Sequence, residues 1–324
     1  MQKIGELRRI IDREIEKMNF AGRHPNELYL PVDYVMSNGG KRLRPVLSLM
    51  SCEIFSEDLT PAIQPAAAIE LFHNFTLLHD DIMDNADLRR NKPTVHKKWD
   101  ENTAILSGDA MVVLSFELIS SAHTDILPGL LKVFNRTALE VCEGQQIDMN
   151  FETIDEVNEE MYLEMIRLKT SVLIAAAMQI GALAGGANEQ DASLIYESGL
   201  NLGLAFQIQD DLLDLYGEQD KFGKKPGGDI LMNKKTFLLI KAMELATDKT
   251  GRELKDILEN EEDPVNKVTE VKRIFDELDI LEVTRRKVED YFNRSLQKLM
   301  ETSPPTPRKQ QVSDFIKSVM ERKS

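Results

Sequence analysis

Two short stretches of the chain repeat one acidic pattern, LHDDIMDNADLRR (Leu78–Arg90) and IQDDLLDLYG (Ile208–Gly217), with 130 positions separating Asp80 from Asp210. The first holds Asp80, Asp81 and Asp84, the second Asp210, Asp211 and Asp214, and each follows a long apolar run. On a helix, aspartates four apart share a face about 6 Å from each other. Negative charge at a helix C-terminus also opposes the macrodipole. Such a cluster is unfavourable unless a cation compensates it. Oxygen-only ligands that leave positions open for water and substrate suit Mg²⁺ bound together with a phosphorylated substrate. Either cluster alone is compatible with a solvated helix end; the recurrence of both after apolar runs favours metal. No EF-hand spacing is present.

A Mg²⁺ cluster held between two carboxylate helices calls for a diphosphate, and a diphosphate needs cations. Asn38-Gly-Gly-Lys-Arg-Leu-Arg-Pro45 sets Lys41, Arg42 and Arg44 directly after two glycines, at the expected opening of a helix. Glycines and the N–H groups of a helix start form an anion site, although a basic loop by itself is usually just solvated. Arg89 and Arg90 trail the first acidic cluster. Lys169, Lys224 and Lys234 are further candidates, each also readable as a plain surface lysine. His73 lies seven residues before Asp80, two helical turns away on a similar face, which makes it a diphosphate contact. His79 is open between a hydrogen-bond donor behind the aspartates and simple packing, whereas His24 and His123 read as surface residues.

These residues need a helical scaffold, and the sequence supplies one. Apolar residues recur at three and four positions in Ile4–Met18, Ala66–Met83, Ala104–Ser121, Leu127–Met149 and Leu194–Tyr216. No run alternates cleanly as a strand would. Thr153-Ile-Asp-Glu156 reads as a capping box that starts a helix just after Thr153. No linker or repeat divides the chain. The expectation is all-α: one domain over residues 1–324, a large bundle of roughly a dozen helices around a central substrate cavity.

Composition is consistent with this. The net charge of −15 argues against a nucleic-acid partner. Cys52 and Cys142 stand alone, without zinc spacing, which fits a reducing cytoplasm. The charged N-terminus lacks the apolar core of a signal peptide. Ser171–Ala187 is rich in Ala and Gly and falls short of the ~20 residues needed to span a bilayer, so it reads as a close-packed core helix.

Together these residues resemble the trans-isoprenyl diphosphate synthases, the polyprenyl synthetase family, over roughly Gly39 to Lys234. GGKRLRP, HNFTLLHDDIMDNADLRR, EGQQID (Glu143–Asp148), RLKT (Arg167–Thr170), FQIQDDLLD (Phe206–Asp214) and GKKPGGDILMNKK (Gly223–Lys235) fall in the family's motif order. The resemblance implies a homodimeric prenyltransferase that condenses isopentenyl diphosphate with an allylic diphosphate. Asp80 and Asp84 would bind two of three Mg²⁺ ions, with Asp81 supporting. Asp210 would bind the third, with Asp211 and Asp214 nearby, and Gln145 and Asp148 would line the metal side. Arg89, Lys169, Lys224 and Lys234 would hold the allylic diphosphate; Lys41, Arg44, His73 and Arg90 would hold the isopentenyl diphosphate. Thr170 and Gln207 would face the reacting carbons.

The residues before the first aspartate cluster bear on product length. Each residue advances ~1.5 Å, so Phe75 lies about 7.5 Å and Phe72 about 12 Å below Asp80 along the helix. In the family, short-chain enzymes carry bulk at the fifth, or fourth and fifth, positions before the motif. Phe75 beside the smaller Thr76, with no insertion in the first motif, favours a twenty-carbon over a fifteen-carbon product; ordinary core packing of Phe75 is the competing explanation. Farnesyl diphosphate synthase is thus the alternative. A class I terpene cyclase would carry a different second motif and would not need GGKRLRP. A non-catalytic partner subunit would tolerate eroded metal ligands, and none is eroded.

Overall fold

The structure, a computed structural model, describes residues 2–217 and 227–320, and apolar periodicity becomes α-helix over most of that length. Lys224 lies outside the described residues. Contacts divide the chain into two compact units. Unit 1 comprises Met1–Arg136, Ala176–Tyr196 and Thr302–Val312; unit 2 comprises Thr137–Ala175, Glu197–Glu301 and Ser313–Ser324.

In unit 1 the chain forms α1 (Gln2–Lys17), α2 (Asn26–Ser37), α3 (Leu43–Phe55), α4 (Thr60–Met83), α5 (Val95–Lys98) and α6 (Glu101–Ser120). The central element is α4. Pro61 opens it, and Ala66, Ala67, Ala68, Ile69 and Leu71 are all fully buried. Small alanines let α3 and α6 approach closely on either side. α6 starts where Asp100 accepts a 2.9 Å hydrogen bond from the Thr103 N–H, an N-cap. Between α4 and α5 a two-residue antiparallel ladder pairs β1 (Leu88–Arg89) with β2 (Lys92–Pro93). Its turn residues, Arg90 and Asn91, have φ of 54° and 61°, as a tight hairpin turn requires. Two residues per strand are too few to alternate, which is why the sequence pattern does not announce it.

Later elements are α7 (Leu127–Phe151), α8 (Glu159–Ile166), a wider π-helical turn (Arg167–Ser171), α9 (Val172–Ala184) and α10 (Glu189–Tyr216). They continue with α11 (Gly228–Leu231), α12 (Phe237–Leu245), α13 (Asp248–Asn260), α14 (Pro264–Glu277), α15 (Ile280–Glu301) and α16 (Thr306–Met320). A core of unit 2 gathers Leu212, Leu215, Leu238, Leu254, Val271, Ile274, Phe275 and Ile280; each such burial contributes on the order of 2 kcal/mol.

The Ala/Gly-rich stretch is a buried helix, as its composition suggests. In unit 1, a Cβ on Gly181 would come 1.9 Å from the Ser48 carbonyl oxygen, so only glycine lets α9 lie directly on α3. The Glu101–Ser120 and Glu159–Ala184 runs are long and apolar enough to cross a membrane by length and composition, with 33% and 72% of their apolar windows buried.

The capping box at Thr153 requires correction. The helix begins at Glu159, where Asn158 accepts a 2.9 Å bond from the Met161 N–H. Thr153 instead turns its hydroxyl back to the Asn150 carbonyl at 3.1 Å, closing α7 rather than opening α8.

Candidate active site

In unit 1, α4 ends at Met83 with Asp84 as its C-cap, so Asp80 and Asp84 share one face of the last turn. Asp81 lies elsewhere on the turn and is 5% exposed. Arg89 Nε donates to Asp81 Oδ1 at 2.6 Å, while its Nη2 stands 3.6 Å from Asp80 Oδ2. Burial pushes the Asp81 carboxyl up, against the pull of the Arg89 charge. The middle aspartate therefore anchors an arginine, leaving Asp80 and Asp84 as the pair suited to metal.

The glycine loop supplies the basic side. Gly39 and Gly40 have φ of 72° and 145°, which L side chains rarely adopt. Arg42 follows at φ 49° as the N-cap of α3, and its side chain is buried. Its guanidinium donates to Asp12 at 3.1 Å, Glu70 at 2.8 Å and the Met36 carbonyl at 2.6 Å. Burial opposes this charge, but Glu70 and Asp12 outweigh burial and raise its pKa. Arg42 is thus an internal brace of the loop. Lys41, beside it, is exposed.

Arg44 Nη1 donates to His73 Nε2 at 3.1 Å. Burial, then the charges of Arg44, Arg90, Arg89 and Arg42, hold His73 well below the usual imidazole range. Because an arginine can only donate, His73 Nε2 is the acceptor of the bond from Arg44. Arg90 donates to the Gly39 carbonyl, and Lys92 reaches Asn38 Oδ1 at 2.9 Å, so the hairpin is tied to the glycine loop. One arginine of the Arg89–Arg90 pair holds the carboxylates and the next holds the loop.

In unit 2 the π-helical turn carries Lys169 and Thr170. π-turns often mark functional sites because they swing a side chain out of helical register. Here glycines make room for it: a Cβ on Gly144 would come 2.3 Å from the Lys169 backbone nitrogen, and one on Gly203 2.5 Å from Ser171 Cα. Lys169 Nζ meets Asp148 Oδ2 at 2.5 Å. Thr170 Oγ1 donates to Gln207 Oε1 at 3.0 Å, and Gln207 Nε2 donates to Asp211 Oδ1 at 3.0 Å. Tyr162 completes the chain, its hydroxyl donating to Asp211 Oδ2 at 2.5 Å. Burial pushes Asp211 up to about 7, despite these donors.

Asp210 is exposed on α10. Asp214 Oδ2 accepts from the Asp229 N–H at 3.0 Å, which caps α11. Lys234 is exposed, and its backbone N–H bonds the Asp229 carbonyl at 2.9 Å. Its neighbour Lys235 is an anchor, donating to the Phe151 carbonyl at 2.6 Å and to that of Ile154.

Sequence reasoning missed Tyr162, Lys235 and the Arg42–Glu70 brace. Glu70 had a signal, a lone carboxylate inside the apolar AAAIELF run; Tyr162 had none. His79 does both: its ring lies 4.7 Å from that of Phe75, and its Nε2 stands 3.3 Å from the Ile105 carbonyl oxygen. Phe75 in turn is 5.4 Å from Phe72, and Thr76 Oγ1 bonds the His73 carbonyl at 2.8 Å.

Among the described residues, no three or more His, Cys, Asp or Glu groups converge to hold a metal ion alone. The i,i+4 carboxylate pairs Asp80 with Asp84, and Asp210 with Asp214, fit an ion whose remaining positions go to water and phosphate oxygens.

The model of the polyprenyl synthetase family matches residues 25–278. A geranylgeranyl diphosphate synthase of Methanosarcina mazei is 43% identical over 236 residues, 72% of each chain. A solved structure of a geranylgeranyl pyrophosphate synthase is 46% identical, with a TM-score of 0.93 and 99% of both chains covered. The geranylgeranyl pyrophosphate synthetase of Pyrococcus horikoshii is 34% identical, also with a TM-score of 0.93, over 99% of this chain and 98% of that one.

Proposed function

The chain belongs to the polyprenyl synthetase family, and on that premise we propose that it is a Mg²⁺-dependent prenyltransferase making a short-chain all-trans prenyl diphosphate. The substrates are isopentenyl diphosphate and an allylic diphosphate, and the product is geranylgeranyl diphosphate, the name carried by the synthases of Methanosarcina mazei and Pyrococcus horikoshii. The observation that carries this reading is the Arg89–Arg90 pair, which ties the Asp80–Asp81 carboxylates to the Gly39 loop within one unit. An acidic metal-binding end and a basic diphosphate loop then belong to one construction.

Lys41, Arg44, His73 and Arg90 hold the diphosphate of the isopentenyl substrate. His73 accepts from Arg44 Nη1 and so orients that guanidinium. Arg89, Lys169, Lys224 and Lys234 hold the allylic diphosphate. Asp80 and Asp84, with Asp210 and Asp214, would hold Mg²⁺, three ions in all; Asp81 and Asp211 brace them. When bound, those ions stabilise the leaving diphosphate as Lewis acids.

Scission of the allylic C1–O bond leaves a carbocation. Asp211 accepts the Gln207 amide N–H, which turns the Gln207 oxygen toward the Thr170 hydroxyl. The oxygens of Thr170 and Gln207 thereby present fixed negative dipoles to the cation. The isopentenyl double bond attacks C1, and the proton lost from C2 goes to the departed diphosphate.

The same reading makes residues 1–324 one synthase domain, in a cytoplasmic homodimer without a membrane span. The helix α6 supports the dimer: Leu106 and Val113, seven apart on one face, are 60% and 68% exposed. The test is product analysis with purified protein, Mg²⁺, isopentenyl diphosphate and each allylic primer. A twenty-carbon product is expected. Full activity in EDTA, or no diphosphate release with any primer, would sink the reading.

A further inference from the structure

Phe72, Phe75 and His79 lie three and four residues apart on α4 and share a face. Their rings form a stack: Phe75 meets His79 at 4.7 Å in a T-shaped contact and Phe72 at 5.4 Å. Phe72 is buried and rests edge-on against Phe134 at 5.3 Å, and Phe134 against Phe116 at 5.1 Å. On its lower side Phe75 therefore meets a chain of aromatic contacts anchored by the buried Phe72 and Phe134. Its upper side is a half-buried imidazole.

That imidazole is seated on a glycine. A Cβ built on Gly108 of α6 would come 2.2 Å from His79 Nε2 and 2.5 Å from its Cδ2. No other residue type leaves the ring this space. His79 Nε2 also stands 3.3 Å from the Ile105 carbonyl oxygen, which fixes the ring plane against α6.

We propose that the His79–Gly108 contact sets product length by holding the Phe75 ring in place. His79 and Gly108 are positioning residues; the ring they position is the floor on which the growing chain ends. This rests on the proposed prenyl transfer. Without the His79 ring, Phe75 swings toward the vacated space and the path down α4 toward Phe72 opens.

Wild type, His79→Ala, Gly108→Ala and the double variant are incubated with Mg²⁺, isopentenyl diphosphate and an allylic primer. Dephosphorylated products are then resolved by chain length, and total isopentenyl incorporation is recorded for each protein. His79→Ala is expected to extend a major fraction of product by at least one five-carbon unit. Gly108→Ala, which drives the ring off α6, is expected to change the product distribution on its own but to add nothing in the His79→Ala background. A wild-type product distribution from either single variant, or additive effects in the double variant, overturns the proposal. Failure of wild type to incorporate isopentenyl units overturns instead the prenyltransferase reading on which it stands.

Discussion

The Tyr162 hydroxyl donates to Asp211 Oδ2 at 2.5 Å, while Gln207 donates to the other oxygen of the same carboxylate at 3.0 Å. A buried carboxylate is thus held on both sides, and the Gln207–Thr170 dipoles depend on it. Tyr162→Phe removes one donor and leaves a buried carboxylate oxygen short of a partner. The cost is about 1–3 kcal/mol, by the usual penalty for such a group. The expected outcome is a lower Tm together with a reduced kcat. An unchanged Tm with unchanged kcat would show that Asp211 is held without Tyr162.

The two neighbours Asp80 and Asp81 are expected to separate function from stability. Asp80→Ala, like Asp210→Ala, should lower kcat by orders of magnitude while leaving Tm intact, because each relieves repulsion within an acidic cluster. Asp81→Ala breaks the 2.6 Å bond to Arg89. Hydrogen bonds to charged groups contribute ~1.5–3 kcal/mol. Arg89 is itself 36% exposed, so solvent screening trims the loss to about 1 kcal/mol. Thermal melts of the three variants beside steady-state kcat decide this. Retained turnover in both Asp80→Ala and Asp210→Ala would remove the metal assignment.

His73 gives a pH signature with a definite sign. Burial and the surrounding arginines depress its folded pKa well below the ordinary 6.5. The unfolded chain therefore takes up a proton below that value which the folded protein refuses. Stability from this source is complete above pH ~6.5 and is lost as pH falls, by about 1.4 kcal/mol per pH unit. His73→Gln, which cannot titrate, should show a flatter stability profile between pH 7 and 5. Parallel profiles from denaturant melts of the two proteins would mean that His73 takes up a proton in the folded state.

What the sequence revealed and what it hid follow from the range of each signal. Asp80 and Asp84, or Lys41 and Arg44, sit within a few residues of each other, so spacing on one helix or loop exposes them. Helices such as α1 were legible because Leu7, Ile11 and Ile15 are buried at helical spacing along a single segment. The Arg42 brace reaches from position 42 to Glu70 and Asp12 on two other helices, and no local pattern encodes that convergence. Tyr162 bonds a residue 49 positions away. The capping box at Thr153 failed because Asn158, a few residues on, satisfied the free N–H groups of α8 first.

Chain length provides the sharpest test of the floor. Successive residues on a helix turn by about 100°, so Phe75 lies about 140° round α4 from Asp80, whereas Thr76 lies within about 40° of it. Thr76 therefore stands directly beneath the metal-side face, and Phe75 projects into the stack with His79 and Phe72. Phe75→Ala removes most of a ring that closes the path, and elongation should then run until Phe72 becomes the new floor. Its product should be longer than that of wild type, while the first condensation, which occurs above that point, survives. Thr76→Phe sets a ring one turn below Asp80 and should shorten the product toward fifteen carbons. Chromatography of the dephosphorylated products distinguishes these outcomes. If an active, well-folded Phe75→Ala enzyme keeps the wild-type product length, a residue outside α4 forms the floor.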